Sequence, residues 1–548
     1  MRQQLARRHG LLAVVLTVAM GVPLLAAVPA TADPAPTPAS ELQAKADAKV
    51  VRQLEKQDAT TFWVQLGSRA DISTARKEKS RTGRDKALIA ARKKHATTTQ
   101  AGIEALVKKA GAHSTSYWIS NILKVTGDKA LAQKIAARPE VAAIEADQVL
   151  QLPDELPAEQ EPQVDGVEWN LDGINAPKVW NELGVRGDGV VIANIDTGVD
   201  HQHSTLMSTY RGLKTDGTYA HDYNWFDATT SCSGDAPCDD HGHGTHTMGT
   251  MVGDDHEGNQ IGVAPGARWI AAKACTTTGC PQDALLAAGQ WILAPTDSNG
   301  NNPRPELAPD VVNNSWGADI IDTWYKDMVQ AWTDAGIFPA FSNGNAGPDC
   351  ATAGSPGAYT NSYATGAYDS DGAIASFSSR GTGEDGAVKP DIAAPGVDIR
   401  SAAPGGGYAI KSGTSMASPH TAATVALMWA ASPAIRGDVA ATERQGQICC
   451  VARPCAGLTA APAVYGISGA LHPQGSGVTR SRWGSSGVLL VPLWFPGSVG
   501  GAARGPGNHS TLLSGSCWLA LGSGSWCCGS RELDVVTPGA AAGRRSAS

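Results

Sequence analysis

From about residue 165 onward the chain consists of short, nearly continuous apolar runs separated by Gly-rich turns and by stretches with helical spacing. The clearest runs are "GVVIANIDTG", "RWIAAKAC", "PDVVNNSWG" and "IFPAFSNGN". Such runs are typical of strands buried on both faces, and their alternation with helices favours a parallel sheet. The pattern therefore predicts an α/β domain whose catalytic groups gather beyond the carboxyl ends of the strands.

The first residues of the chain carry a targeting pattern. Three arginines precede an apolar run over residues 11–27, and the small residues "ATA" follow it. This arrangement predicts a signal peptide over residues 1–32 and hence a secreted, extracellular protein. A membrane anchor fits less well, because Gly21 and Pro23 interrupt the run.

A Pro-rich linker, "DPAPTPAS", leads into a predicted small α+β unit. In this unit "TFWVQL" and "SYWISNILKVTG" are each typical of a strand, while residues 85–110 and "DKALAQKIAARPEV" have helical spacing. Residues 41–150 carry 20 basic and 12 acidic side chains, a balance of +8, whereas residues 151–548 carry 21 and 39, a balance of −18. These charges favour docking of the first segment onto the second. Nucleic-acid binding is not expected, since no aromatic residues interleave the basic cluster.

The run "VVIANID" ends in Asp196, which Thr197 and Gly198 follow. Asp-Thr-Gly after a strand is also how aspartic proteases begin their site. That mechanism needs two carboxylates that share a proton, and the chain has no second such triplet. The triplet alone leaves the chemistry open.

The stretch "DDHGHGTHTMGTMVG" places His241, His243 and His246 beside Asp239 and Asp240. A zinc site needs three or four converging ligands, and two of the histidines with an aspartate could supply them. The zinc-protease spacing H-E-x-x-H is absent. Alternatively, one histidine held by a carboxylate deprotonates a hydroxyl group.

A suitable hydroxyl group occurs in "YAIKSGTSMASPHTAATVALMWA". Ser415 opens an apolar helical stretch there, where backbone N–H groups and the helix dipole favour developing negative charge. An ordinary N-cap serine would occupy the same position. Ser415 alone therefore does not decide between a nucleophile and an ordinary helix N-cap.

Taken together and in the order Asp, His, Ser, these three sequences closely resemble the subtilisin-like serine proteases, over roughly residues 165–440. The resemblance implies an α/β, three-layer domain with a mainly parallel buried sheet and helices on both faces, preceded by a small α+β inhibitory propeptide. It implies a triad of aspartate, general base and nucleophile at Asp196, His243 and Ser415. His246 falls at the family's structural histidine, and His241 is an extra neighbour to which the motif gives no role.

The same resemblance assigns the residues around the triad. Asn345, in "FSNGNAGP", takes the position of the asparagine that completes the family's oxyanion hole. Ser315, Trp316 and Gly317 are expected to line one side of the first specificity pocket. Gly354 is expected at the pocket base, where the absence of a side chain leaves room. A substrate bound by strand addition is recognised mainly through its main chain, and we expect a bulky apolar residue before the cleaved bond.

No metal or other cofactor is expected to be required. The family usually binds calcium through an aspartate shortly after the triad aspartate, and Thr205 stands at that position here. We therefore predict that the usual calcium site is altered, although Asp254, Asp255 and Glu257 could build another.

The basic segment ends in "RPEVAAIEADQVLQLP", which resembles the end of the family's propeptide, and processing is expected near Leu152. The predicted division of the chain is a signal peptide over 1–32, a linker and inhibitory propeptide over 33–152, a catalytic domain over 153–445 and a tail over 446–548.

The tail lacks family resemblance, contains no Lys and holds six of the eleven cysteines. It is either a disulfide-bonded appendage or the product of a shifted reading frame in a G+C-rich gene, and its composition favours the second. Export permits disulfides elsewhere. Cys232 with Cys238, and Cys275 with Cys280, are close enough to close small loops, which leaves Cys350 over.

Two functions follow from this reading. The first is a secreted, monomeric serine endopeptidase that cuts protein or peptide substrates and matures itself from a zymogen. Its own propeptide is then its intramolecular inhibitor, and neither nucleic acid nor membrane is a partner. The alternative is an inactive or non-catalytic secreted protein of the same fold, because the C-terminal core is altered.

Overall fold

The computed structural model describes residues 37–152, 159–161, 166–447, 514–517 and 528–531, with side chains over 37–152 and 166–445. The predicted signal peptide and most of the predicted tail lie outside these residues. None of the helices in the described part of the chain is long and apolar enough to cross a membrane.

Residues 37–146 form the N-terminal unit, a four-stranded antiparallel sheet with helices. Its strands, in sheet order, are His113–Tyr117, Ile122–Gly127, Thr60–Leu66 and Val141–Ala146. Its helices are Pro38–Lys45, Ala48–Lys56, Arg81–Lys109 and Lys129–Ala136. The prediction of one strand over 116–127 was wrong, because the chain turns between two strands there. Asn121 occupies the turn with a φ of 53°, a left-handed conformation that Asn tolerates better than most residues.

Seven parallel strands form the main sheet. In sheet order they are Ile392–Pro395, Tyr363–Tyr368, Phe338–Ser342, Val311–Asn314, Val191–Asp196, Arg268–Lys273 and Trp225–Asp227. The four apolar runs singled out in the sequence are neighbouring strands at its centre. The helices of this region are Trp169–Gly173, Ala176–Leu183, His243–Val252, Gln282–Leu293, Lys326–Asp334, Thr414–Ala431 and Val439–Gln447.

Both faces of the main sheet are covered by helices, which gives the three-layer α/β fold. Along Val191–Asp196, Ile192 belongs to one apolar cluster, whereas Ala193 and Ile195 belong to another. Because successive side chains of a strand point to opposite faces, these clusters lie on the two sides of the sheet. The helices that begin at His243 and Thr414 cover the first face, and those that begin at Gln282 and Lys326 cover the second.

Shorter strands complete the described fold. They are Val149–Leu150, Glu159–Glu161, Gly166–Val167, Asn259–Gln260, Cys280–Pro281, Gly381–Thr382, Val388–Lys389, Ile399–Ala403, Gly407–Lys411, Ser514–Cys517 and Cys528–Arg531. Three of them lie in the connection between the N-terminal unit and the main sheet. Each pairs with a strand of residues 169–447, the C-terminal region. Val149–Leu150 pairs with Cys280–Pro281, Glu159–Glu161 with Gly407–Lys411, and Gly166–Val167 with Asn259–Gln260.

Two disulfides join the cysteines that the sequence paired. Cys232 is bonded to Cys238 and Cys275 to Cys280. Cys350 is also disulfide-bonded, so the expectation that it is left over was wrong.

Candidate active site

Asp196 and His243 meet at the carboxyl end of the central strand. Asp196 is the last residue of Val191–Asp196, and His243 is the first residue of the helix His243–Val252, the His243 helix. Nδ1 of His243 lies 2.7 Å from Oδ1 of Asp196, and both side chains are almost completely buried. The carboxylate is held in turn by the backbone N–H of Thr197 at 2.7 Å and by the hydroxyl of Thr247 at 3.3 Å. This arrangement fixes the imidazole orientation and keeps its proton on Nδ1, since a carboxylate can only accept.

The start of the His243 helix is tied to the same strand end. The Thr197 hydroxyl accepts from the backbone N–H of Gly244 at 2.8 Å and donates to Asp239 at 2.8 Å. Asp239 also accepts from the backbone N–H and the hydroxyl of Thr245, at 2.9 and 2.6 Å. A side chain that accepts from the first free N–H groups stabilises a helix start. Thr197 and Asp239 therefore hold the backbone on either side of the Asp196–His243 contact.

The other members of the histidine cluster lie in different surroundings. Nε2 of His246 is 3.0 Å from the carbonyl oxygens of both Ile399 and Ala409, a position that ties the His243 helix to a neighbouring strand pair. His241 is exposed, and its ring centroid lies 6.3 Å from that of His243. Asp240 pairs with the buried Lys273 at 2.6 Å.

No metal centre is evident around these side chains. In the part of the chain that the structure describes, no three His, Cys, Asp or Glu side chains lie close enough together to hold an ion. Asp254, one of the residues considered for calcium, pairs with Arg186 at 3.0 Å. Its neighbour Asp255 accepts from the backbone N–H groups of Glu257 and Asn259 at 2.9 and 3.1 Å. That the family's usual calcium site is altered, and that no cofactor is required, stay predictions.

Ser415 is the second residue of the helix Thr414–Ala431, the Ser415 helix, which packs against the His243 helix. Its hydroxyl donates to the carbonyl oxygen of Ser315 at 3.1 Å, and the Ser315 hydroxyl donates to the carbonyl oxygen of Ser415 at 2.9 Å. Asn313 donates to the Ser315 hydroxyl at 3.0 Å and accepts from Ser418 at 2.7 Å. These bonds lock the start of the helix to the end of the strand Val311–Asn314.

Asn345 lies beside the start of the Ser415 helix. Its Oδ1 accepts from the backbone N–H of Thr414 at 2.9 Å and from the Thr414 hydroxyl at 2.7 Å. A backbone N–H can only donate, so the amide atom that faces it must be the oxygen, which leaves Nδ2 as a donor. A Cβ placed on Gly413 would lie 3.3 Å from this Nδ2 and 3.7 Å from the backbone nitrogen of Ser415. The two nitrogen atoms thus lie within 4 Å of the same point, the position that a Cβ on residue 413 would occupy.

The neighbouring Asn343 has a different environment. It is completely buried and donates through Nδ2 to the carbonyl oxygen of Ser379 at 2.8 Å. This bond fixes the loop that carries Asn345. Of the two asparagines in "SNGN", Asn345 is thus the one that is hydrogen-bonded to the first residue of the Ser415 helix.

The predicted pocket residues form a tight backbone contact. Ala318 donates to the carbonyl oxygen of Ser355 at 2.9 Å, which joins the segments that carry Gly317 and Gly354. A Cβ on Gly354 would lie 2.2 Å from the carbonyl oxygen of Ala318. The close approach of the two backbones therefore requires glycine at this position. The space that the family's pocket needs for a substrate side chain is a separate reason.

Trp316 is completely buried in the apolar cluster of the second sheet face, where its ring centroid lies 5.1 Å from that of Tyr325 and 6.1 Å from that of Phe341. Any lining of a pocket by Trp316 therefore comes from its main chain.

His420 lies one turn beyond Ser415 in the same helix. Burial lowers its pKa to about 4, against a weaker raising effect of the hydrogen bond to the carbonyl oxygen of Met416. Its Nδ1 is 2.8 Å from that oxygen, and its Nε2 is 2.7 Å from Nδ2 of Asn170. The neutral ring thus joins the Ser415 helix to the helix Trp169–Gly173.

Sequence reasoning did not single out several of these supporting residues. Lys273 is completely buried and donates to the carbonyl oxygens of Thr197 and Cys275 at 2.6 and 3.0 Å. The sequence did contain one signal for this role, the single lysine at the end of the apolar run "RWIAAK". A lysine is almost never fully buried unless its ammonium group is paired. Thr414, by contrast, gives no signal apart from its position next to Ser415.

Comparison with known proteins identifies relatives of this chain. The sequence model of the Subtilase family matches residues 187–452. Bacillopeptidase F of Bacillus subtilis is 40% identical over 437 residues, which cover 73% of this chain and 30% of that protein. Subtilisin E of the same organism is 30% identical over 333 residues, which cover 60% of this chain and 76% of that protein. Subtilisin of Bacillus pumilus is 32% identical over 270 residues, which cover 49% and 86%.

The match to this family agrees with the three-layer α/β fold of the chain. The match to subtilisin E extends over most of that protein's length, whereas Bacillopeptidase F is much longer than the matched region. The chain therefore belongs to the subtilase family of serine-type endopeptidases.

Proposed function

We propose that this chain is a secreted endopeptidase in which Ser415 attacks the peptide carbonyl, His243 takes the serine proton, and Asp196 stabilises the imidazolium that forms. The observation that carries the proposal is the buried 2.7 Å hydrogen bond between Asp196 and His243. This bond fixes the tautomer of His243, the proposed general base. His243 is the first residue of a helix that packs against the Ser415 helix. The acyl-enzyme route that follows is the usual one for such a triad.

In this proposal, the oxyanion that develops on the substrate is stabilised by Nδ2 of Asn345 and the backbone N–H of Ser415. Both nitrogen atoms lie within 4 Å of the position that a Cβ on residue 413 would occupy. Ser415 is in the first turn of its helix, where the N–H groups and the dipole also favour negative charge. Donors fixed before the reaction need no reorganisation when the charge appears.

We further propose that the N-terminal unit is an inhibitory propeptide. Trp63, Leu88 and Tyr117 of this unit belong to the same apolar cluster as Trp291 and Trp332 of the helices on the second sheet face. Apolar side chains of the two parts thus belong to one continuous core.

Ion pairs also join the N-terminal unit to the rest of the chain. Basic residues of the N-terminal unit face acidic residues of the C-terminal region, with nitrogen to oxygen distances of 2.9 to 3.3 Å in the pairs Lys124–Asp283, Arg69–Asp327 and Arg92–Asp334. The pairing agrees with the opposite charges of the two parts, +8 and −18. The strand Val149–Leu150 extends the contact toward the site, which supports the expected processing near Leu152.

The remaining parts of the proposal rest on the sequence. Secretion follows from the predicted signal peptide and agrees with the two disulfides. The substrates are exposed protein or peptide chains with a bulky apolar residue before the cleaved bond. We propose that the enzyme acts as a monomer without a required cofactor, a membrane or nucleic acid.

Active-site labelling tests the proposed function. The purified, secreted product is treated with a fluorophosphonate, and the modified peptide is identified by mass spectrometry, with heat-unfolded protein as the control. We expect the label on Ser415, in a species that lacks the residues before about 150. A folded, uncleaved chain that takes up no label would instead support the non-catalytic alternative.

Asn345→Ala is expected to lower kcat by about 10² to 10³ with little change in KM, the effect of removing the equivalent donor of subtilisin. The reason is that the donor acts on charge that is present only in the transition state. Steady-state kinetics on a peptide substrate measure the effect. The matched control is Asn343→Ala, which removes a buried hydrogen bond two residues away and should lower thermal stability without the same loss of kcat. A change of KM alone in Asn345→Ala would contradict the assignment.

A further inference from the structure

A cavity of about 290 Å³ lies between the N-terminal unit and the C-terminal region. Asp327, Gln330 and Asp334, from the helix Lys326–Asp334, form part of its wall. The N-terminal unit forms the rest, with side chains that include Arg69, Arg76, Arg92, His95 and Ser120. Neither part encloses this cavity by itself, so the cavity exists only while the two parts are joined.

The size of the cavity limits what it can hold. Its volume corresponds to about ten water molecules, each of which takes up about 30 Å³ in the liquid. Pockets for drug-sized ligands and cofactors typically have about 300 to 1,000 Å³. The cavity therefore suits a small ion with its nearest water molecules and is small for an organic cofactor.

Positive charge predominates among the arginines and carboxylates of the wall. Nε of Arg69 lies 3.0 Å from Oδ1 of Asp327, and Nη2 of Arg92 lies 3.3 Å from Oδ2 of Asp334. Nη2 of Arg76 shares Asp334, at the longer distance of 3.5 Å. Because two arginines share one carboxylate, one positive charge is left over, and this excess favours an anion in the cavity.

The two most exposed arginines of the wall keep free donors. The side chains of Arg69 and Arg76 are 73% and 69% exposed. Apart from the nitrogen atoms in the pairs above, their guanidinium groups donate to no atom in the part of the chain that the structure describes. A guanidinium group offers five N–H donors in a fixed fork that matches the oxygen atoms of an oxyanion. These groups can therefore bind an oxyanion without giving up their aspartates.

Two buried atoms of wall residues also lack a partner. Nε of Arg92 and Oγ of Ser120 make no hydrogen bond to any of the described residues. Ser120 is only 3% exposed. One explanation for such atoms in a native structure is a bound water molecule or ion. The wall thus carries unpaired polar atoms in its buried part as well as free donors on its exposed arginines.

We propose that this cavity binds a small oxyanion, such as phosphate or sulfate, between the N-terminal unit and the C-terminal region. The arginines belong to the first part, and the aspartates with Gln330 belong to the second, so separation of the parts dismantles the site. A ligand that binds only the joined state stabilises that state. The bound anion therefore opposes release of the N-terminal unit. This consequence for activation rests on the proposed function, whereas binding itself does not.

Binding is tested by isothermal titration calorimetry with inorganic phosphate at constant ionic strength. The full-length Ser415→Ala chain is used, because its two parts stay covalently joined and no turnover is needed. We expect one phosphate per chain, displaced by sulfate but not by chloride. Arg69→Gln with Arg76→Gln should weaken binding about tenfold or more, the loss expected when a hydrogen bond to a charged group is removed.

The matched control is Lys86→Gln with Lys129→Gln. It removes two positive charges from the same unit, and Lys86 also faces a carboxylate of the C-terminal region, that of Glu306 at 4.0 Å. Phosphate affinity should stay within about twofold of the parent value, since exposed charges away from the ligand are screened by salt. Arg69→Gln alone is a milder variant if the double variant does not fold. Absence of phosphate binding, or equal weakening in the arginine and lysine variants, would overturn the inference.

The effect on activation is tested with the parent chain. Phosphate at ten times its dissociation constant should lower the dissociation constant of the cleaved complex about elevenfold. The active fraction after dilution of the purified complex measures this effect, with sodium chloride of equal ionic strength as the control. Equal active fractions in the two salts would overturn the proposed role in release. A chain that binds phosphate but never becomes active would instead overturn the proposed function and support the site.

Discussion

Ser415→Ala is expected to abolish both peptide hydrolysis and self-processing. Loss of the nucleophile lowers kcat by about 10⁶ in subtilisin, and the residual rate there comes from the oxyanion hole and substrate binding. A similar loss is expected here, because no covalent acyl-enzyme can form without the hydroxyl. The chain should then accumulate uncleaved, with its N-terminal unit attached. Gel analysis of a purified refolding reaction, which contains no other protease, measures processing, and a peptide substrate measures kcat.

The matched control for this variant is Thr424→Ala. It removes a buried hydroxyl from the same helix, but that hydroxyl donates only within the helix, to the carbonyl oxygen of His420 at 2.8 Å. Thr424→Ala should therefore be processed like the parent chain. Normal processing of Ser415→Ala in the purified reaction would show that another group cleaves the chain.

The four central strands of the main sheet could be predicted from the sequence because they are buried on both faces. Ile192 and Ile195 point into different apolar clusters, so the run "VVIANID" has apolar residues on both faces, the pattern of a buried parallel strand. The hairpin in the N-terminal unit could not be predicted in the same way. Its turn contains Trp118 and Ile119, which extend the apolar pattern of the strands, and only Asn121 marks the change of direction.

The reactive groups of the site could be assigned because they lie in long motifs, whereas the groups that position them are scattered along the chain. Thr197 and Asp239 are 42 residues apart and meet only because the strand end and the helix start are packed together. Asn345 and Thr414 are 69 residues apart. The orientation of Trp316 was likewise not predictable, since its motif fixes the position of the backbone and the surrounding core fixes the side chain.

Asp196→Asn should lower kcat by about 10⁴, the order of magnitude found for the triad aspartate in serine proteases, with little change in KM. The asparagine oxygen can still accept from Thr197 and His243, so the ring orientation survives in part. What disappears is the negative charge 2.7 Å from the imidazole, which stabilises the imidazolium formed when His243 takes the serine proton. Steady-state kinetics measure the loss. The control Asp369→Asn changes a half-buried loop carboxylate that accepts from nearby backbone N–H groups, and it should be silent.

The strongest form of this prediction is a double-mutant cycle. If Asp196 acts only through His243, then Asp196→Asn should have almost no further effect in a His243→Ala background, because groups that act as a unit are strongly non-additive. Equal losses of kcat in the two backgrounds would mean that Asp196 acts independently of His243. The buried geometry argues against that outcome. The Asp196 carboxylate contacts Thr197, Thr247 and His243, and of these only the histidine ring can carry a proton away from Ser415.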